Sequence, residues 1–171
     1  MSKKLLKRKS FSKVIDEMVK IDQSARKNAL NKKVEDQIFY NHLVYLIDFT
    51  NGQRIKDLIQ RFGYPTQETV GKQSMKNFWL LIQHQDFNLD LQQDCLDNCD
   101  FEPRNKAYLT DRVLINLGKK QLYGTQFHKN EKGELVPQPI ENEINVDKRR
   151  REMGLESLAE YAEKIQEINK K

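Results

Sequence analysis

Two titratable side chains occupy helix faces that are otherwise apolar. Asp111 shares a helical face with Ala107 and Leu114, and His84 follows Leu81 at the end of an apolar stretch. A buried carboxylate needs hydrogen-bond donors or a cation, and a histidine can transfer protons near neutral pH. We therefore predict that His84 is a general acid or base and that Asp111 orients it or the substrate.

A polar run after Gly118 suggests where a ligand would bind. The run Gln121–Gln126 combines amides, a hydroxyl and a phenol with Gly124, which would let a ligand or another backbone approach closely. We predict one cavity that is shared with His84 and Asp111, binds a small polar or anionic ligand, and uses an arginine to hold an anionic group. The residues predicted to bind the ligand are Asp86, Arg112, Gln121, Tyr123, Thr125, Gln126 and Arg149.

Other interpretations of the same residues remain open. In the main alternative, the buried polar groups only hold the fold, and the protein is a structural or protein-interaction module. Asp22 and Arg26, one helical turn apart, fit a structural ion pair as well as a functional one. His42 is predicted to be a hydrogen-bonded histidine in the core or at its rim. Whether the protein is an enzyme is left open.

Sequence motifs exclude several familiar sites. No nucleophile elbow, phosphate-binding loop, dinucleotide fingerprint or zinc-protease motif is present. His84 and Asp86 alone are a weak indication of a metal, so no metal site is predicted, and no cofactor is assigned. Cys95 and Cys99 are expected to pack as small apolar residues in a reduced, cytoplasmic protein.

Periodicity predicts a mainly α-helical domain with one small two-stranded β element in its C-terminal third. Helical spacing begins near Phe11 with Ser10 or Ser12 as a cap, and a second helix from Val34 is expected to break at Asn51-Gly52. A buried helix is predicted over residues 71–85, and further helices over residues 88–98, 103–117, 147–153 and 155–168. Two strands are predicted over residues 122–128 and 134–140.

Length and charge favour one domain behind a basic terminus. The 171 residues suit a single domain over residues 11–171, preceded by a basic arm over residues 1–10. Residues 1–33 carry eleven basic and three acidic side chains, so nucleic-acid contact through the arm is a third hypothesis. A solvated terminus is the simpler interpretation. No signal peptide or membrane-spanning stretch is predicted, and no membrane partner.

Several short motifs occur together in a fixed order. They include Gln83-His84-Gln85-Asp86, Leu109-Thr110-Asp111-Arg112, Gln121-Leu122-Tyr123-Gly124-Thr125-Gln126 and Val146-Asp147-Lys148-Arg149-Arg150. The chain resembles a bacterial family of unknown function whose members share Q-H-A-D, L-T-D-R, Q-x-Y-G-T-Q and V-D-x-R-R motifs, over about residues 63–161. The resemblance implies no activity. Gln85 replaces the alanine that is usual in the family, which is expected to alter access to the group that His84 faces.

Overall fold

The computed structural model describes residues 3–30 and 34–169, with side chains described over residues 11–30 and 36–169. Within these residues the chain is mainly α-helical and has one small antiparallel sheet, as predicted. The helices are α1 (Lys3–Leu30), α2 (Val34–Phe62), α3 (Gln67–Val70), α4 (Lys72–Gln83), α5 (Leu89–Asn98), α6 (Pro103–Asn116), α7 (Val146–Glu152) and α8 (Leu158–Asn169). The strands are β1 (Phe127–Lys129) and β2 (Leu135–Pro137), and a 3-10 turn covers Glu143–Asn145.

The chain forms two compact units. One extends to Phe101, and the second starts at Glu102. The predicted division into a basic arm and one domain stays a prediction, since the side chains of residues 1–10 lie outside the described residues. The backbone of α1 already begins at Lys3, so the helix start expected near Ser10 or Ser12 is wrong. No helix in the described part of the chain is long and apolar enough to cross a membrane.

The first unit is built on the packing of α1, α2 and α4. Ile15 of α1, Ile55 of α2 and both Phe78 and Ile82 of α4 are completely buried. The buried helix predicted between residues 71 and 85 is thereby confirmed as a core element. His84 follows its last turn and is half-buried in the unit.

Helix α2 does not break where the sequence predicts. It continues through Asn51 and Gly52 to Phe62, and both residues are buried. Gly52 lies against the side chain of Gln85, and an ideal Cβ at Gly52 would overlap with Gln85 Oε1. Tertiary packing therefore explains a glycine that local propensity assigns to a turn.

The second unit places a loop between α6 and a short hairpin. Gly118 takes a left-handed φ of 69°, and the N–H of Lys119 donates to Leu114 O, which closes the helix as predicted. The strands are shorter than predicted and pair antiparallel, with His128 opposite Val136. Residues 122–126 do not extend β1, because the N–H groups of Leu122, Tyr123 and Thr125 bind the side chain of Asp111 on α6 instead of a second strand.

Candidate functional site

Four charged or titratable side chains meet inside the first unit. Asp22 and Arg26 lie one turn apart on α1, Asp48 lies on α2, and His84 is the residue that ends α4. The Asp22 side chain is 1% exposed, whereas those of Asp48, His84 and Arg26 are 12%, 18% and 27% exposed. The cluster is therefore buried on one side and reachable from solvent on the other.

Hydrogen bonds connect all four side chains. Arg26 donates from Nε to Asp22 Oδ1 over 3.1 Å and from Nη2 to Asp48 Oδ1 over 2.5 Å. His84 Nδ1 lies 3.1 Å from the same Asp22 Oδ1, and Gln23 Nε2 donates to Asp22 Oδ2 over 2.7 Å. Since an ionised carboxylate only accepts hydrogen bonds, Nδ1 of His84 is the donor to Asp22, and Nε2 is the ring nitrogen that does not contact Asp22.

The two carboxylates respond differently to this environment. Burial acts most strongly on Asp22 and opposes ionisation, but the hydrogen bond and charge of His84, the hydrogen bond of Gln23 and the charge of Arg26 together lower its pKa. Burial is also the largest influence on Asp48 and raises its pKa, because Arg26 and His84 compensate only in part and Asp22 adds a like charge. Asp22 is thus the anion that holds His84.

Gln85 joins the end of α4 to the site helix α2. Its Nε2 donates to the backbone oxygen of Asp48 over 2.9 Å, and the residue is completely buried. Its Oε1 has no hydrogen-bond partner among the described residues. The side chain of Gln85 therefore fixes the position of Asp48 and lies beside Gly52.

This contact gives an unusual expectation for Gly52→Ala. In an open helix the change adds up to about 1 kcal/mol of stability. Here the new methyl group overlaps with Gln85 Oε1, so we expect the free energy of unfolding to fall by about 1–2 kcal/mol. Urea unfolding of Gly52→Ala, Gln85→Ala and the double variant measures the coupling. The glycine substitution should become stabilising in the Gln85→Ala background, and strictly additive effects would contradict the contact.

The same side chains include a set of metal-ligand types. One ligand atom from each of Asp22, Asp48 and His84 lies within 4.8 Å of the others. Arg26 already bridges the two carboxylates, so its guanidinium is the cation of this cluster. The prediction that the protein has no metal site stays a prediction.

Asp111 is buried and fully hydrogen bonded in the second unit, as predicted from its helix face. The residue is 0% exposed, and its carboxylate accepts hydrogen bonds from the backbone N–H groups of Leu122, Tyr123 and Thr125. The hydroxyl of Thr125 donates a further hydrogen bond over 2.9 Å. This carboxylate holds the loop between α6 and β1, which is the behaviour of a structural residue.

The pKa of Asp111 shifts in the direction opposite to that expected for an ion pair. We expected a lowered pKa if the carboxylate paired with a cation. Burial is instead the largest influence and raises the pKa of Asp111, while the hydrogen bonds of Thr125, Tyr123 and Leu122 act in the opposite direction. The donors that the structure gives this carboxylate are neutral, so they do not fully replace water.

The polar run is also used within the fold. Gln121 is completely buried, donates to the backbone oxygens of Gln126 and Gln138, and accepts from the N–H of Gln126. Gln126 Nε2 donates to Thr125 Oγ1, and Tyr123 is half-buried. Gly124 has a left-handed φ of 70°, and the side chains of Leu158 and Ile140 occupy the space that a Cβ would need.

Two arginines of α7 donate hydrogen bonds to backbone oxygens of the loop between α6 and β1. Arg149 donates to the backbone oxygens of Leu122, Asn142 and Glu141, so its guanidinium is occupied by carbonyl groups. Arg150 is completely buried and donates to the backbone oxygens of Glu156 and Tyr123. Burial lowers the pKa of Arg150.

The predicted site residues thus fall into different surroundings. His84 contacts Asp22 in the first unit, and Asp111 contacts its own loop in the second. Their common cavity stays a prediction, as do the binding roles assigned above. Asp86 is exposed and Arg112 is half-buried. His42 was predicted to lie in the core or at its rim; it is exposed, so it does not lie in the core.

Sequence reasoning missed two residues. Asp48 was not predicted, although its spacing from Val44 and Ile55 places it on the buried face of α2. Arg150 was overlooked in favour of Arg149, because a run of three arginines does not show which one is buried.

A cleft of about 390 Å³ lies between the hairpin and α8 in the second unit. Its lining contains none of the predicted site residues; it consists of Lys129, Gly133, Glu134, Leu135, Gln166 and Asn169. Among the described residues, the polar cluster around His84 is the arrangement best suited to proton transfer.

Comparison with known proteins gives one match. The family described as "Family of unknown function (DUF6624)" matches residues 12–169 and so includes both Asp22 and Asp111. No curated protein and no solved structure matches the chain. The match covers nearly the whole chain, and the protein therefore belongs to this family of unknown function.

Proposed function

We propose that the cluster of Asp22, Arg26, Asp48 and His84 is a general acid–base site, and that the protein is an enzyme acting on a small polar substrate. His84 Nε2 is the group that moves the proton. Asp22 orients the ring through Nδ1, as the aspartate does in a histidine–aspartate pair of a hydrolase. Arg26, which is itself bound to Asp48, keeps Asp22 in place.

The contact between His84 and Asp22 carries this proposal. The Nδ1 to Oδ1 distance is 3.1 Å, Asp22 is almost completely buried, and the His84 side chain keeps 18% of its surface exposed. An oriented imidazole with one nitrogen on a buried carboxylate and some access to solvent is suited to proton transfer. A purely structural histidine would not need the exposed edge.

Charge defines the kind of substrate. When the ring of His84 is neutral, as a general base requires, the two carboxylates and the guanidinium give the cluster one net negative charge. Such a site disfavours an anion and favours a neutral or cationic substrate. This replaces the anionic ligand expected from Arg112 and Arg149, since Arg149 is occupied by three backbone oxygens.

The reaction class follows from the groups present. The described cluster offers an imidazole, two carboxylates and a guanidinium, so water is the simplest nucleophile. His84 Nε2 accepts a proton from water as the oxygen attacks a carbonyl carbon, and the protonated ring then donates that proton to the leaving group. The substrate class is a small uncharged ester or amide.

Chromogenic substrates test this proposal directly. We expect wild type to hydrolyse p-nitrophenyl acetate faster than His84→Gln by about 100-fold to 10,000-fold, with little action on p-nitrophenyl phosphate. Asp22→Asn should lower kcat with little change in KM, because it disturbs the orientation of the ring. Thermal melts confirm that each variant is folded.

His128→Gln is the matched control, since His128 is exposed on β1. It should retain the wild-type rate. Equal rates for wild type and folded His84→Gln with the neutral ester would reject His84 as the proton-transfer group. The structural interpretation of the cluster would then apply.

A further inference from the structure

An unusually apolar face of α2 is exposed. Ile38, Phe39, Tyr45, Leu46 and Phe49 are 70%, 66%, 53%, 58% and 46% exposed. Contiguous apolar surface of this extent on a globular protein indicates an interface. Scattered exposed side chains would need no such explanation, but these lie along three turns of a single helix.

The face is a regular stripe with a defined direction. Residues 38, 42, 45 and 49 follow spacings of four, three and four, which is the seam of a helix pair, and Phe39 and Leu46 widen it. The opposite face of α2 carries Asp48, Ile55 and Leu58 into the core. The stripe therefore points away from α1 and α4.

Phe87 extends the stripe at one edge. It is 44% exposed, and its ring centroid lies 5.5 Å from that of Tyr45 and 6.3 Å from that of Phe49. Three rings thus form a continuous apolar surface with the helix. Neither the core of the first unit nor the site around His84 uses it.

We infer that this face binds a second copy of the chain, as an antiparallel pair of α2 helices related by a two-fold axis. In one alignment of the two antiparallel helices, each side chain of the stripe lies opposite another side chain of the stripe on the second copy. Ile38 packs against Phe49 of the partner subunit, His42 packs against Tyr45 of the partner subunit, and the axis passes between His42 and Tyr45. Each layer then joins one aliphatic or imidazole side chain with one aromatic ring.

The area of the face fits a stable dimer. The five large apolar side chains and Phe87 are each about half exposed or more. Together with their surroundings they offer about 700 Å² of surface per chain for burial in an interface. A standard protein interface buries about 800 Å² per partner. A two-fold arrangement uses the same face on both chains, so it closes at two copies and leaves no unpaired stripe.

The oligomeric state of the full chain is the first test. Sedimentation and light scattering should show a dimer for wild type, and Leu46→Glu should convert it to a monomer with an unchanged circular dichroism spectrum. Ile144→Glu is the matched control, because Ile144 is 93% exposed outside the stripe. A monomeric wild type at high concentration, or a Leu46→Glu protein that remains dimeric, overturns the inference.

Cysteine cross-linking tests the direction of the helices. A chain carrying both Ile38→Cys and Phe49→Cys should form disulfide-linked dimers on mild oxidation. Ile38→Cys alone should not, because an antiparallel pair separates the two copies of residue 38 by eleven residues, about 16 Å along the axis. Efficient cross-linking of Ile38→Cys alone would overturn the antiparallel register. Cys95 and Cys99 are buried and contribute little background.

Discussion

Asp111→Ala is expected to lower the free energy of unfolding by about 3 kcal/mol or more. The substitution leaves three backbone N–H groups and the Thr125 hydroxyl without their acceptor, and each unpaired buried donor costs about 1–3 kcal/mol. Water that enters part of the opened loop hydrates some of these donors, so the loss of stability is smaller than the sum of their individual costs. Urea unfolding at neutral pH measures the change.

Milder variants keep this prediction testable if Asp111→Ala does not fold. Thr125→Val removes only the hydroxyl donor and should cost about 1 kcal/mol. Asp111→Asn retains one acceptor oxygen but brings its amide hydrogens towards N–H donors, so its cost should lie between the other two. Glu131→Ala, at an exposed position of the hairpin loop, is the control and should change stability by less than about 0.5 kcal/mol.

The same variants test the predicted catalytic role of Asp111. A folded Asp111→Asn protein with wild-type stability and lost ester hydrolysis would support that role and contradict the structural one. A large loss of stability with an unchanged rate per folded molecule would assign Asp111 to the loop alone.

The burial of Asp111 and its place beside residues 121–126 were predictable from the sequence, whereas the backbone hydrogen bonds that join them were not. Helical periodicity depends on local spacing, and the apolar neighbours Ala107 and Leu114 place Asp111 on the inner face. The donors come from a loop eleven to fourteen residues later. Its backbone direction depends on Gln121, Gly124 and Arg149 together, and no periodic pattern encodes such a conformation.

The candidate site was predictable only in pieces. Asp22, Arg26 and His84 each stood out as polar residues on apolar faces, but their meeting depends on how α1 and α4 pack. Asp48 was not predicted, because Ile38, Tyr45 and Leu46 have the spacing of a buried face and Asp48 lies outside that face. Gly52 is explained by Gln85, and only the three-dimensional structure brings these two residues together.

The exposed stripe on α2 shows a further limit. Ile38, Tyr45 and Leu46 have the spacing of a buried face, and the sequence alone therefore predicted His42 in the core or at its rim. Hydrophobic periodicity predicts that a helix face is buried, but it does not show whether that face packs against the same chain or against a partner. In the proposed dimer this apolar face is buried against the second copy, which explains why residues with the spacing of a buried face are exposed in the single chain.

Arg26→Gln is expected to remove about 3 kcal/mol of stability at neutral pH. It takes away the cation between Asp22 and Asp48, both largely buried, and leaves two carboxylates facing each other. The loss should exceed that of Arg61→Gln, whose partner Asp57 lies on the same helix and is exposed. Chemical unfolding of both variants against wild type makes this comparison.

Zinc should restore part of the stability that Arg26→Gln loses. Without the guanidinium, Asp22, Asp48 and His84 offer two oxygens and one nitrogen within 4.8 Å of one another, a set that Zn²⁺ accepts with water as a further ligand. Zn²⁺ at one hundred times its dissociation constant would add about 2.7 kcal/mol. The gain should disappear in Arg26→Gln/His84→Ala. A stabilisation by zinc that is equally large in wild type would show that Arg26 does not exclude the metal and would refute the prediction of a site without one.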